Sequence, residues 1–176
     1  MKMFAYLKRV PEESIVRCRD DADFAGNYLA GEQSDTETLC LKESWDALHY
    51  VMSSNRRRPA KELDTMIVWD TSDLLAVSIL GKEVLNRNCK HTFGVPKWVD
   101  AAQVKDIFEL LTAVEWADLA DQIVSEKMAR CGVYPEGIWD DEEKSNKYLK
   151  YWFQRLASFY TTAASRNQAV ICYMKV

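Results

Sequence analysis

The strongest constraint on this chain lies near its end. From residue 142 to 165 the sequence contains no Gly or Pro, and Leu149, Trp152, Phe153, Leu156, Tyr160 and Ala163 recur at spacings of three and four. That spacing gathers them on one stripe of a long α-helix. Asp140, Asp141, Glu142 and Glu143 precede or open it, where the positive end of the helix dipole favours carboxylates. Residues 168–174, with Val170, Ile171, Cys172 and Tyr173, then read as a terminal strand. A stripe carrying this many large rings has to be covered by the rest of the chain.

The remaining elements are read in the same way. Residues 3–7 are apolar without a break and predict a short buried strand. Pro11 suits the first turn of a following helix, with Glu12 and Glu13 near its positive end. A short helix is expected at residues 23–29 and a loop at 31–38. Leu41, Trp45, Leu48 and Met52 form one stripe, which predicts a helix over residues 42–53. Residues 54–61 read as a basic loop. Ser72 is the expected cap of a helix over 73–80, which Gly81 ends. Residues 82–99 read as irregular, with one short strand and a turn at Gly94 and Pro96. Asp100 and Gln103 have the spacing of a capping box for a helix over 101–114, with Val104, Ile107, Phe108 and Leu111 inward. A second helix carries Trp116, Leu119, Ala120 and Ile123 and ends at Gly132. The expected fold is α+β: a helix-rich single domain, residues 1–176, around a small mixed or antiparallel sheet that includes the N- and C-terminal strands.

Charge and motifs exclude several classes. The chain has a net charge of −4, which argues against a duplex-binding protein, since such proteins displace counterions with a basic face. Arg56, Arg57 and Arg58 form the one basic run and read as a solvated loop. Cys18, Cys40, Cys89, Cys131 and Cys172 are scattered, without the paired spacing of a zinc site. They suit reduced thiols, hence the cytoplasm. No stretch reaches the ~20 apolar residues of a membrane span. Phosphate-loop, dinucleotide, zinc-protease and serine-nucleophile motifs are absent. No cofactor, metal ligand or catalytic residue is assigned.

Two constellations stand out. Trp45, His49 and Tyr50 share one predicted helix, and His49 falls at the edge of its apolar stripe. It serves either as a packed core histidine or as the titratable wall of a pocket. The segment from Cys89 to Trp98 places His91, Phe93 and Trp98 around a Gly–Pro turn. His91 is read as an ordinary loop residue or as part of a pocket.

Ordered segments resemble the YfbM-like family of bacterial proteins. They are Met1, Met3 and Tyr6 at the start; the run from Leu39 through Trp45 and His49 to Tyr50; residues 73–83; residues 93–104; residues 133–139 with Tyr134, Pro135 and Trp139; and the closing Phe159–Ala164 with Gln168–Ile171. Lys2 and Phe93 depart from the family pattern, the latter lacking a hydroxyl. The resemblance implies a bacterial α+β domain of unknown function and no particular activity. Two functions are therefore carried forward. One is a non-enzymatic protein-interaction module, of which an immunity or inhibitor protein is one version, meeting a basic enzyme by charge complementarity. The alternative is a small-molecule pocket or enzyme using His49 or His91. The candidate binding residues are Trp45, His49, His91, Phe93, Trp98, Tyr134 and Trp139.

Overall fold

A computed structural model describes residues 2–31, 36–53 and 73–176. In chain order the elements are β1 (Phe4–Val10), α1 (Glu12–Asp20), α2 (Ala22–Ala30), β2 (Thr38–Lys42), α3 (Trp45–Met52), α4 (Leu74–Leu80), β3 (Glu83–Val84), β4 (Phe93–Val99), α5 (Ala101–Ala113), α6 (Trp116–Ala120), α7 (Ser125–Arg130), α8 (Glu142–Ser165) and β5 (Ala169–Lys175). The fold is α+β.

The sheet has the order β2-β1-β5-β4-β3, and every pairing is antiparallel. The strands nearest the two chain ends lie side by side at its centre, with Phe4 opposite Lys175 and Val10 opposite Ala169. Alternation along β1 sends Ala5 and Leu7 to one face and Tyr6 and Val10 to the other. The first face joins Val170 and Cys172 in a large core with α3, α4, α5 and α8. The second meets Ile15, Cys18, Ala25 and Leu29 of α1 and α2 in a smaller cluster. The sheet is thus the middle of three layers.

α8 spans the residues expected, and its Asp141 side chain accepts from Lys144 N at 3.0 Å. The acidic run is therefore a helix cap, and the Lys144 ammonium holds the Asp141 carboxyl below its ordinary range through a hydrogen bond and charge. α5 carries the full capping box of Asp100 and Gln103. All eight residues of α3 are buried. A helix apolar or buried all round lies inside a fold rather than on it.

Several expectations are corrected. Pro11 caps α1 instead of entering its first turn. The helix expected from residue 42 begins at Trp45, because Leu39 and Leu41 belong to the edge strand β2. Short apolar runs fit either period, and pairing with β1 decides this one. The irregular stretch 82–99 holds two strands, β3 and β4. The helix expected up to Gly132 is two short helices, α6 and α7, separated by a turn at residues 121–124. Asp73 caps α4, accepting from Leu75 N at 2.9 Å. Ser72 and the basic run at residues 56–58 lie outside the described residues.

Candidate functional site

β4 enters the sheet irregularly. Phe93 is opposite Met174 and Lys97 is opposite Cys172, so four steps of β4 match two of β5. The extra residues form a bulge. Gly94 there has φ +74, and Pro96 follows, a residue that cannot donate to a ladder and is confined to bulges and edges within sheets. β3 pairs only with Lys97 and Trp98, and Leu85 N adds a bond to the Pro96 carbonyl at 2.9 Å. Among the described residues, Phe93, Gly94 and Val95 therefore have no strand on their outer side.

Behind the bulge is a mainly apolar cavity of about 290 Å³. Ile79 and Leu80 of α4 form one wall, Phe93 and Val95 the rim, and Cys172 and Met174 of β5 the floor. The wall is held close by Gly81, which ends α4 at φ +70. A Cβ at that position would come 2.8 Å from Lys97 Cβ and 3.0 Å from the Lys97 carbonyl carbon. Among the described residues, Lys97 contributes the cavity's one cationic side chain. Burial pushes the Cys172 thiol far up, and the nearby Lys97 charge only partly offsets this, so the group stays protonated at neutral pH. At the rim Phe93 is 46% exposed and Val95 42%. The arrangement combines an open strand edge, two exposed apolar side chains, an apolar cavity and one ammonium.

The other residues expected at a site lie elsewhere. Trp45 and Tyr134 are brought together, their rings 6.1 Å apart. Trp45 Nε1 donates to the Met3 carbonyl at 3.2 Å, and Met3 N donates to the Tyr134 hydroxyl at 2.9 Å. Tyr134 N in turn donates to Asp46 Oδ2 at 2.7 Å. This circuit ties the chain start, α3 and the 131–141 connection into one unit. Trp139 is buried beside it, its Nε1 donating to the Val133 carbonyl at 3.3 Å. His49 is buried within α3. His91 is exposed, sits at φ 69 and packs its ring edge over Gly26. Trp98 is half-buried against the smaller cluster on the opposite face of the sheet. Of the seven candidates, only Phe93 lines the cavity.

Sequence reasoning passed over Ile79, Val95, Lys97 and Cys172. A signal was present: Gly and Pro two residues apart inside an apolar, β-prone run mark a bulge as readily as a turn.

The family model described as "Domain of unknown function (DUF1877)" matches residues 1–173. Among solved structures, the protein of unknown function YfbM from Escherichia coli superposes with a TM-score of 0.72 at 17% identity. The match covers 97% of this chain and 99% of that one. No curated protein matches.

Proposed function

Since the chain belongs to the family described as Domain of unknown function (DUF1877), whose description assigns no activity, we propose from the site geometry that it is a protein-interaction module. Its partner is an extended segment that lies along the open edge of β4, places an apolar side chain in the cavity and offers a carboxylate to Lys97. The observation that carries this reading is the coincidence of an unpaired strand edge with an apolar cavity under exposed Phe93 and Val95. Strand addition draws affinity from backbone hydrogen bonds and specificity from pockets for alternate side chains. Exposed apolar groups rimming a groove mark such surfaces.

The alternative, a small-molecule pocket acting through His49 or His91, has less support, because neither ring lines this cavity. An inhibitor-type role is one version of the interaction reading, supported by the net charge of −4. The free thiols and the E. coli neighbour support a bacterial cytoplasm as the setting. A family match over nearly the whole chain supports its acting as one domain.

The test is selection from a displayed library of random peptides against the whole protein. The expected outcome is enrichment of sequences with a large apolar residue beside Asp or Glu. Phe93→Glu and Lys97→Glu should each weaken the selected peptides at least tenfold, about 1.4 kcal/mol. Absence of any enriched pattern, or peptides that bind both variants like the parent, would overturn the reading.

A further inference from the structure

A second concavity lies at the opposite edge of the sheet, between β2 and α8, with a volume of about 270 Å³. α8 presents Arg155, Ser158 and Thr162 along one ridge, at spacings of three and four residues. Facing them are Thr36, Thr38 and Arg9, over a floor of Leu39 and Phe159.

Arg9 is the unusual group. It follows Ala5 and Leu7 on the core-facing side of β1, yet it is charged and only 8% exposed. Its guanidinium carbon is 5.2 Å from the centre of the Phe159 ring, and its Nη2 donates to the Thr36 carbonyl. Glu37 Oε2 is 3.2 Å from Arg9 Nε, but the buried Nε–H makes no hydrogen bond. That contact is an ion pair held by charge rather than an aligned hydrogen bond.

The charges do not balance. Glu37 is shared: its Oε1 also accepts from Arg166 Nη1 at 2.9 Å. Among the described residues, Arg155 meets the Tyr151 hydroxyl, at 3.5 Å, and the Tyr151 ring. Among the described residues, the lining of the cleft holds two guanidiniums, Arg9 and Arg155, and no carboxylate; Glu37, beside Arg9, is divided between Arg9 and Arg166, in a chain whose net charge is −4. The hydroxyls of Thr36, Thr38 and Ser158 line the same space. Thr162 already donates to the Ser158 carbonyl at 3.1 Å.

We propose that this cleft binds the phosphoryl dianion of a small phosphorylated molecule. Two guanidiniums match the doubled charge, and planar N–H forks pair with phosphate oxygens two at a time. The hydroxyls supply further donors, and the Leu39 and Phe159 floor receives the carbon part of an ester. The site stands apart from the β4 edge and does not depend on the interaction reading.

The experiment is calorimetric titration of the whole protein with inorganic phosphate, with a simple alkyl phosphate monoester and with sulfate, at fixed ionic strength. Saturable binding of the monoester is expected, with a dissociation constant on the order of 1 mM or tighter. Binding by inorganic phosphate alone would remove the role of the apolar floor and overturn the ester assignment. Affinity for phosphoryl ligands should fall on acidification through about pH 6, where the dianion takes up a proton, while sulfate shows no such fall. Arg155 is exposed, so Arg155→Gln should fold like the parent and bind at least tenfold more weakly, with partial rescue by Arg155→Lys. No saturable binding, or binding that Arg155→Gln leaves unchanged, would overturn the proposal.

Discussion

At the scale of single residues, Trp45 does two jobs. It is 1% exposed in the main core, and its indole N–H is spent on the Met3 carbonyl. Removing the ring takes away packing and also cuts the circuit through Met3, Tyr134 and Asp46. Trp45→Ala should therefore cost about 3–5 kcal/mol, a large share of a typical domain stability of about 5–15 kcal/mol. Trp45→Phe keeps an aromatic ring and should cost distinctly less. Urea unfolding of both variants measures this. A Trp45→Ala protein with the parent's midpoint would show that the ring is dispensable and that the circuit does not hold the chain start. Arg9 is the counterexample to a purely apolar core. Its inward position was not legible, because the apolar run of residues 3–7 stops short of it and only pairing with β5 extends β1 to Val10.

Between elements, the decisive junction is α4 against β4. Gly81 reverses the chain where the helix passes over Lys97, and no side chain fits there without displacing backbone. Gly94, on the bulge, also has positive φ, but a Cβ there would meet nothing within 4 Å. The pair separates two effects. Gly94→Ala should cost only the strain of a left-handed residue, roughly 1–2 kcal/mol. Gly81→Ala should cost that strain plus the displacement of α4 from β4, and should therefore exceed Gly94→Ala clearly. Equal unfolding midpoints for the two variants would show that α4 yields freely and does not define the cavity wall. The caps on α5 and α8 were legible in advance, because Asp100 with Gln103 and the acidic start of α8 act within one turn. The split between α6 and α7 was not legible, since the apolar positions on either side of residues 121–124 keep a helical spacing.

For the molecule as a whole, the sheet's two faces bury protonated phenols and thiols. Burial first, then a hydrogen bond to Cys40, pushes Tyr6 from its ordinary 10.0 up to about 12. Burial first, then the neighbouring Cys89, pushes Cys18 from 9.0 to about 11. Tyr160 and Cys172 are raised by burial as well. In the unfolded chain these groups lose protons from about pH 9 upward, whereas the folded chain keeps the Cys18 proton to about pH 11 and the Tyr6 proton to about pH 12. The folded state then binds more protons, so stability is fully present below pH 9 and is lost as pH rises through that window. Unfolding midpoints under reducing conditions should fall from pH 8 to pH 11, and Cys18→Ala should show a shallower fall. A midpoint independent of pH over this range would refute the account.

The amino-acid sequence by itself determined what short-range physics decides. This covers the span of α8, the capping of α5, the terminal strands and the α+β class, because helical period, capping spacing and apolar runs act over a few residues. Tertiary structure decided what needs partners distant in the chain. Leu39 and Leu41 became a strand because β1 lay free to pair with them. Residues 93–99 became a bulged strand, open along 93–95, because β5 pairs with only part of them and β3 reaches only Lys97 and Trp98. Phe93 lines a cavity while Trp45, Tyr134 and Trp139 are buried, because aromatic side chains look alike in sequence and only the packing of α3, α4 and α8 on the sheet divides core from rim. Arg9 and Arg155, 146 positions apart in the sequence, share a cleft only because the edge of the sheet lies along α8.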